Sequence, residues 1–314
     1  MAEANLQSTK NPYLHIAKTF LAGGVAGCCA KTAIAPLDRV KILLQAHKVH
    51  YNNLGVMSTL TQVVKIEGFL GLYKGNGAQM VRIFPYSAVQ FVAYEQYRKV
   101  LRHTLGFQST ASKLAEGSLA GMTAVITTYP LDVVRARLAF QSLGEIQYRG
   151  IVHTLNRILT KEGGLKGMYR GITPTLLGMI PYAGISFYVF EVLKKFCLKS
   201  FPNVTGTPYA DGLTLTMPAK LFCGALAGAM AQTVSYPLDV ARRNMQLSTL
   251  LPNAEKYSSC YQTLRTIYME HGIYKGLYRG LTVNYMRVPP MVAVSFTVYE
   301  TMRQLLHMDV SVDR

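Results

Sequence analysis

The chain of 314 residues combines a strong positive charge with few charged side chains. Its 33 Lys and Arg residues against 16 Asp and Glu residues give a net charge of +17, yet only 16% of the residues are charged, against about 25% in a typical soluble domain. The 50% hydrophobic content argues against a disordered chain, the 26 glycines without a triplet period exclude a collagen, and the length suits two ordinary domains or one polytopic membrane domain.

The first predicted elements are an N-terminal tail, residues 1–12, and a long apolar helix at 13–46. The tail has neither the apolar core of a signal peptide nor the arginines of a transit sequence, so we predict no cleaved targeting segment. Two more long helices are predicted at 75–102 and 112–140. Charges interrupt all three, at Lys31, Arg82 and Glu116. Because a charge at membrane depth is costly unless it faces a bundle interior or a water-filled cavity, we expect the long helices to surround a polar pathway.

Shorter amphipathic segments lie between the long helices, at 53–67, 148–162 and 257–270. Such segments are typical of helices that lie on a membrane surface. Residues 201–211, which contain two prolines, a glycine and an asparagine, are predicted to form a loop.

Three motifs recur in the same order three times along the chain. Pro-x-Asp-x-x-Lys/Arg occurs at 36–41, 130–135 and 237–242, Gly-x-Tyr-Lys/Arg-Gly at 71–75, 167–171 and 276–280, and aromatic-Glu-x-x-Lys/Arg at 94–98, 190–194 and 299–303. A recurrence of this kind predicts a repeat architecture. Because proline kinks a helix, each copy of the first motif predicts a kinked helix with one acid and one base near the kink.

Other function classes find little support in the sequence. No phosphate-binding GxxxxGK[ST], zinc-binding HExxH or complete GxGxxG motif is present, so we predict no enzyme activity and no metal or organic cofactor. The five cysteines are odd in number and form no CxxC, which argues against a disulfide framework and favours small buried side chains in a reducing compartment. The basic residues are spread over repeat positions instead of clustered, which disfavours a nucleic-acid-binding protein.

Taken together, the three motifs resemble the signature of the mitochondrial carrier family, over nearly the whole chain, and within it the group of coenzyme A carriers. The resemblance implies an all-α membrane protein with six transmembrane helices in three pseudo-threefold repeats and short surface helices on the matrix side. It also implies a location in the inner mitochondrial membrane, with both termini on the cytosolic side, and transport by alternating access. We expect repeats at 13–106, 107–204 and 205–314, the last with the C-terminal tail.

The resemblance implies two gates built from the repeated acids and bases. At the matrix gate it pairs Asp38 with Arg135, Asp132 with Arg242, and Asp239 with Lys41, and it gives Gln45 and Gln246 the role of bracing two of these pairs. At the cytoplasmic gate it sets Glu95, Glu191 and Glu300 against Arg98, Lys194 and Arg303, with the hydroxyls of Tyr94 and Tyr299 supporting them. Breaking one ring as the other forms would keep the two states close in free energy.

The resemblance also places a substrate site between the gates, formed by Lys31, Arg82, Gly178, Met179, Tyr182 and Arg287. Guanidinium offers phosphate a bidentate fork and lysine offers it a point charge, so the three bases favour a small phosphorylated anion. None of the three bases has an assigned acid partner, and we expect them to form the uncompensated charge of the cavity. The Gly-Met step leaves an apolar slot beside Tyr182 that suits a flat heterocycle such as adenine.

These features favour a carrier for coenzyme A, working by exchange. The open alternatives are an exchanger of adenine nucleotides or adenosine bisphosphates, and a carrier-fold scaffold that transports nothing. Family members usually act as monomers. The bases and glycines of the second motif, at helix starts, are candidates for binding cardiolipin: Lys74, Gly75, Arg170, Gly171, Arg279 and Gly280.

Overall fold

The computed structural model describes residues 12–46, 51, 54–105, 110–142, 147–209, 212–251 and 254–306. Most of the N-terminal tail predicted at 1–12 and the end of the C-terminal tail lie outside these residues. The elements are α1 (Pro12–Gln45), α2 (Val56–Glu67), α3 (Asn76–Leu105), α4 (Thr110–Phe140), α5 (Ile151–Lys161), α6 (Gly164–Met168), α7 (Ile172–Ser200), α8 (Pro202–Thr205), β1 (Gly206–Tyr209), β2 (Gly212–Leu215), α9 (Met217–Leu247), α10 (Cys260–His271) and α11 (Leu281–Leu305). Short helical turns are formed by Phe69–Tyr73, Ser248–Leu250, Ala254–Tyr257 and Ile273–Leu277.

The chain is mostly helical, and its helices follow the predicted order. The long helices α1, α3 and α4 lie where the sequence predicts them, with ends that differ by up to three residues. The three amphipathic segments form α2, α5 and α10, and each buries a threonine and one larger apolar side chain on its inner face: Thr59 and Val63, Thr154 and Ile158, Thr263 and Ile267.

The loop predicted at 201–211 is wrong in part, because this segment contains regular structure. Pro202 starts the single turn α8, where a missing N–H costs nothing. The antiparallel strands β1 and β2 follow, pairing Gly206 with Leu215 and Tyr209 with Gly212. The hairpin adds two short strands to the all-α fold that the sequence predicts, since alternating Thr and Leu in β2 suit a strand.

Six long helices form a closed ring. The most extensive helix packing joins α3 to α4, α7 to α9 and α11 to α1, so the second long helix of each repeat packs on the first long helix of the next. A proline lies inside every one of the six helices. The ring therefore surrounds a central space toward which the kinked segments can direct polar side chains.

The outer face of the ring is apolar. Large hydrophobic side chains remain exposed on it, among them Phe91, Phe196 and Phe296. Within the described residues, two stretches are long and apolar enough to cross a membrane by length and composition, Lys18–Gln45 and Gly164–Ser200. Charged residues interrupt all six long helices, as expected where polar residues face a central cavity.

Candidate functional site

The first motif builds a ring of three acid–base corners, here called the matrix ring. Arg135 Nη2 lies 2.5 Å from Asp38 Oδ2, Arg242 Nη2 lies 2.5 Å from Asp132 Oδ2, and Lys41 Nζ lies 3.0 Å from Asp239 Oδ2. Each corner joins an acid of one repeat to a base of another, in the pairing that the sequence suggests. The ring closes this end of the central space.

Two acids of the matrix ring each bind a second base, an arginine from the second long helix of a repeat. Arg82 Nη1 lies 2.6 Å from Asp132 Oδ1, and Arg287 Nη1 lies 2.8 Å from Asp38 Oδ1. A carboxylate has two oxygens, so each acid can bind one base of the ring and one arginine of the cavity. The expectation that Arg82 and Arg287 lack an acid partner is therefore wrong, because the ring acids lie within reach of both.

At the third corner, among the described residues, no arginine from the second long helix of a repeat forms a salt bridge with the acid. Arg82, Gly178 and Arg287 stand three residues before a proline of their own helix, so Gly178 occupies the position that arginine holds in the other two repeats. A methyl group built on Gly178 would lie 3.6 Å from Leu238 Cβ, beside Asp239. The Asp239 side chain is 32% exposed, against 5% for Asp38 and 2% for Asp132. The glycine thus leaves one ring acid open to the cavity.

Lys41 takes a second partner at this third corner. Its ammonium donates to Asn284 Oδ1 at 2.9 Å as well as to Asp239, and it lies 5.4 Å from the centre of the Tyr236 ring. Asn284 belongs to α11 and is buried, with only 3% of its surface exposed. The corner therefore consists of one acid, one base and a neutral amide.

The two predicted bracing glutamines make different contacts. Gln246 Nε2 donates to Asp132 Oδ2 at 2.8 Å and to the Tyr129 hydroxyl at 3.1 Å, so it binds an acid of the ring. Gln45 Nε2 donates to the Tyr236 hydroxyl at 3.2 Å. Within the described residues Gln45 makes no bond to a ring acid or base, and its predicted bracing contact is wrong because Asn284 occupies the place beside Lys41.

Above the matrix ring lies a cavity of about 740 Å³. All six predicted substrate residues line it: Lys31, Arg82, Gly178, Met179, Tyr182 and Arg287. Eight basic and only two acidic residues contribute to its wall. Cavities of this size commonly hold small organic ligands, and the excess of bases favours an anionic one.

The remaining substrate candidates differ in their surroundings. Lys31 forms no salt bridge within the described part of the chain, and its Nζ donates to Met291 Sδ at 3.4 Å. Met179 packs against the apolar cluster around Tyr129, with its Cε beside Gly121. Tyr182 is 42% exposed. The cavity therefore offers Lys31 as a base without a salt bridge among the described residues, and an apolar wall near Gly178.

The third motif forms no ring in this structure. Lys194 and Arg303 contact acids of their own helices, Glu191 at 3.8 Å and Glu300 at 3.5 Å. No ion pair joins different repeats among the six residues here called the cytoplasmic ring: Glu95, Arg98, Glu191, Lys194, Glu300 and Arg303. All six are described, and Glu95, Arg98 and Glu300 are exposed. With the matrix ring joined and the cytoplasmic ring apart, the cavity is open at the end where the cytoplasmic ring lies.

The tyrosines next to the cytoplasmic ring, Tyr94 and Tyr299, are half-buried. Their predicted contact with that ring concerns a state in which its members meet, and it stays a prediction.

The bases of the second motif bind protein groups. Lys74 Nζ contacts Glu67 Oε2 at 2.5 Å, Arg170 Nη1 donates to Ser248 Oγ at 3.0 Å, and Arg279 Nη2 donates to the Tyr51 carbonyl at 2.9 Å. A lipid phosphate at these places would have to share the bases with those groups.

The glycines of the same motif each stand directly before a long helix and lie close to another repeat. Gly75, Gly171 and Gly280 have φ of 85°, 82° and 83°, a region that L side chains rarely adopt. A Cβ on Gly75 or Gly171 would lie 2.9 Å from the carbonyl oxygen of Arg135 or Arg242. These two glycines therefore let each second helix begin directly beside a base of the matrix ring.

Sequence reasoning missed two polar residues at this site, Asn284 and Arg243. Gln79, Thr175 and Asn284 stand three residues before Arg82, Gly178 and Arg287, and all three are buried. The recurrence of a polar residue at this repeat position was the sequence pattern that pointed to Asn284. Arg243 lines the cavity and donates to Gln246 Oε1 at 2.8 Å. Its repeat equivalents are Ile42 and Ala136, so it departs from the threefold pattern.

Buried ion pairs also tie two surface helices to the ring helices. Arg39 of α1 donates to Glu67 at the end of α2, at 2.7 and 2.9 Å. Arg137 of α4 binds Glu162 after α5, and the Tyr148 hydroxyl donates to Glu162 Oε1 at 2.6 Å. Burial raises the pKa of the Tyr148 phenol, which therefore stays a donor at neutral pH. A movement of α1 or α4 would carry its surface helix along.

Comparison with known proteins places these features in a family. The sequence pattern of the family described as mitochondrial carrier protein matches residues 13–105, 107–201 and 213–310. Human solute carrier family 25 member 16 is 56% identical over 295 residues, which cover 93% of this chain and 89% of that protein. The mitochondrial carrier protein CoAc1 of Arabidopsis thaliana is 43% identical, covering 92% and 89%. The mitochondrial coenzyme A transporter SLC25A42 of Xenopus tropicalis is 42% identical, covering 93% and 86%.

Proposed function

Because the chain belongs to the mitochondrial carrier family, and is therefore a multi-pass transporter of the inner mitochondrial membrane and not an enzyme, we propose that its substrate is coenzyme A or a closely related adenine-containing phosphorylated anion. The names of the Arabidopsis and Xenopus relatives support a substrate of this class. The observation that carries the proposal is the cavity itself, with eight basic and two acidic residues in its wall.

The phosphates of the substrate would bind Lys31, Arg82 and Arg287. Guanidinium groups suit phosphate because they offer two parallel N–H donors. Arg82 and Arg287 belong to α3 and α11, which lie on either side of α1 in the ring, so two phosphates of one molecule could contact both. Arg243, at the cavity floor, adds a third guanidinium.

The adenine ring would lie at the third corner, where Gly178 leaves space. Met179 and Tyr182 provide apolar and aromatic surface on the same helix. An arginine at position 178 would fill this space, so the departure from threefold symmetry matches a ligand with phosphates on one side and a flat ring on the other.

Binding and gating are coupled through the shared acids. In this structure, Arg82 and Arg287 bind Asp132 and Asp38 from the cavity side. A phosphate that takes over these arginines leaves each acid with one base, which weakens two corners of the matrix ring. A ligand can shift a conformational equilibrium only by its differential affinity for the two states, and this competition supplies such a difference. The matrix ring would then open while the cytoplasmic ring assembles.

Transport would proceed by exchange for another anion. Moving a net charge against the membrane potential costs about 2.3 kcal/mol per elementary charge per 100 mV, so an uncompensated import of a multiply charged anion is unfavourable. Return of a second anion, or of protons with the first, removes most of this cost.

The membrane arrangement we propose is that of the three repeats, 13–106, 107–204 and 205–314. The long helices α1, α3, α4, α7, α9 and α11 span the membrane, and α2, α5 and α10 lie on the matrix side. One chain forms the complete ring, which supports a functional monomer. Cardiolipin phosphates would bind at the N-termini of α3, α7 and α11, where backbone N–H groups and the helix dipole favour anions.

Uptake into liposomes tests the substrate. Purified protein is reconstituted into liposomes loaded with unlabelled coenzyme A, ADP or adenosine bisphosphate, and uptake of the same compound in labelled form is followed. We expect coenzyme A to enter, and to enter only when an exchangeable anion is inside. Liposomes without protein, and protein-containing liposomes loaded with buffer alone, are the controls.

Two other outcomes would change the conclusion. If labelled ADP or adenosine bisphosphate exchanges while coenzyme A does not, the substrate is the smaller nucleotide and the proposal for coenzyme A is wrong. If coenzyme A enters liposomes loaded with buffer alone at the same rate, transport is not an exchange.

A further inference from the structure

Two cysteines from different repeats lie side by side at the cytoplasmic end of the ring. Cys197 is in the last turn of α7 and Cys223 is in the second turn of α9, and their sulfur atoms are 3.7 Å apart. Cys223 is 1% exposed and Cys197 is half-buried. The sequence does not predict this pair, because the hairpin segment separates the two residues along the chain and no motif links them.

Both backbones near the two thiols are anchored. The Cys197 carbonyl accepts bonds from the Phe201 N–H and the Thr205 hydroxyl, each at 2.9 Å, which fix the end of α7. The Thr216 N–H, one residue before α9, donates to the Thr205 carbonyl at 2.8 Å. The hairpin segment therefore ties the end of α7 to the start of α9, and the thiols keep their positions opposite each other.

From this geometry we propose that Cys197 and Cys223 form a reversible disulfide that clamps the second and third repeats together at the cytoplasmic end. The bond in a disulfide is about 2.05 Å long, so the sulfur atoms observed at 3.7 Å must approach by about 1.7 Å. Side-chain rotation with a small helix shift can supply this movement.

Hydrogen peroxide is the class of oxidant that the pair requires. The thiolate of the more exposed Cys197 attacks one peroxide oxygen, the S–O bond forms as the O–O bond breaks, and the released hydroxide takes up a proton as water. The Cys223 sulfur then attacks the sulfenic sulfur, the S–S bond forms as the S–O bond breaks, and the Cys223 proton leaves with the hydroxyl as a second water. Two thiols and one peroxide thus give one disulfide and two waters. A dithiol reductant reverses the reaction.

The clamp would act on the cytoplasmic ring. Lys194 lies one helical turn before Cys197 and contacts Glu191 of its own helix in this structure. Closure of that end requires Lys194 to meet an acid of another repeat, and so requires the end of α7 to move relative to its neighbours. A bond to α9 holds α7 in the arrangement observed, with the cavity open at the cytoplasmic end. This step rests on the proposed gate, whereas formation of the disulfide does not.

The first experiment tests the bond in the full-length protein. Cys28, Cys29 and Cys260 are replaced by serine, so that only the pair remains, and the reduced protein is treated with hydrogen peroxide and then with N-ethylmaleimide. We expect neither thiol to be alkylated, and trypsin to release residues 196–199 linked to residues 221–242. Dithiothreitol should restore two alkylatable thiols. The matched control adds Cys223→Ser, which should abolish the linked peptide.

Two alkylatable thiols after peroxide treatment, or separate oxidation of each cysteine to sulfinic acid without a linked peptide, would overturn the proposed bond. This readout needs no substrate, so it stands even if coenzyme A is not what the protein carries.

The second experiment tests the clamp. Exchange of whichever anion the reduced protein transports is measured in liposomes before oxidation, after it, and after dithiothreitol. We expect oxidation to remove most of the exchange and the reductant to restore it, while protein carrying Cys223→Ser in the same background keeps its rate throughout. If protein shown to be fully bridged exchanges as fast as the reduced form, the clamp is wrong.

Discussion

Two corners of the matrix ring hold their acid between two bases, whereas the third holds its acid with one. Asp132 binds Arg242 and Arg82, and Asp38 binds Arg135 and Arg287, each acid using both oxygens. Among the described residues, Lys41 is the one base bound to Asp239, and this acid is far more exposed to the cavity. The three corners come from the same repeated motif, so the difference arises from the residues that face the motif from the second helix of each repeat.

The residues of the gate and the residues above it differ in how they recur along the chain. The acids and bases of the ring recur threefold, as a gate with three equivalent parts should. The residues above the ring do not recur: arginine, glycine and arginine stand at equivalent places. The symmetric part suits a gate for any substrate, and the asymmetric part suits one particular ligand shape.

The largest expected difference between the corners is in stability. Asp132→Asn leaves Arg82 and Arg242 without a carboxylate, and breaking a buried charge pair in this way costs about 3 to 5 kcal/mol in the free energy of unfolding. Asp239→Asn strands only Lys41, which keeps its bond to Asn284, so its cost should be clearly smaller. Thermal unfolding of both proteins in the same detergent measures the difference. Equal losses would show that the cavity arginines add nothing to the corners.

Supplying the missing arginine should make the third corner like the others. In Gly178→Arg the new guanidinium can reach the open side of Asp239 and fills the space proposed for adenine. We expect exchange to slow by about 10- to 100-fold, because a hydrogen bond to a charged group contributes about 1.5 to 3 kcal/mol and each factor of ten corresponds to about 1.4 kcal/mol.

Gly178→Ala is the matched control for that substitution. Its methyl group would lie 3.6 Å from Leu238 Cβ, an ordinary contact, and it brings no charge. Exchange by this protein should stay near the wild-type rate. Should Gly178→Arg exchange as fast as Gly178→Ala, the open corner has no part in transport.

The smallest predicted difference is between the two glutamines. Gln246→Ala removes a bond to the Asp132 carboxylate, whereas Gln45→Ala removes a bond to a neutral hydroxyl. Bonds to charged groups contribute about 1.5 to 3 kcal/mol and neutral ones about 0.5 to 1.5, so Gln246→Ala should be the more destabilising by about 1 kcal/mol. The midpoints of thermal unfolding of the two proteins measure this difference. A larger loss of stability for Gln45→Ala would contradict the contacts described for the two glutamines.

Much of the fold follows from the sequence, because the evidence for it is repeated three times. Each motif gives three independent indications of the same local structure, and proline kinks, amphipathic segments and glycine turns have strong local causes. The hairpin before α9 was missed because prolines and glycines predict a loop without revealing that two short strands pair within it.

Contacts within the site were harder to predict, because they depend on distances between helices. The pairing of Asp38 with Arg135 follows from symmetry, but the second bond from Arg287 depends on how deep α11 lies in the ring. The partner of Gln45 depends on its rotamer. The approach of Cys197 to Cys223 depends on how the hairpin segment folds back, and no sequence pattern encodes that distance.

The central claim is that the cavity arginines hold the substrate and release the ring acids when it binds. It is tested most directly by exchange of labelled coenzyme A in liposomes containing Arg82→Ala, Arg287→Ala or the control Arg149→Ala, whose base is exposed outside the cavity. We expect each cavity variant to lose exchange by about 10- to 100-fold, the effect of one charge-assisted contact, while the control keeps the wild-type rate. Wild-type exchange by Arg82→Ala and Arg287→Ala would contradict it.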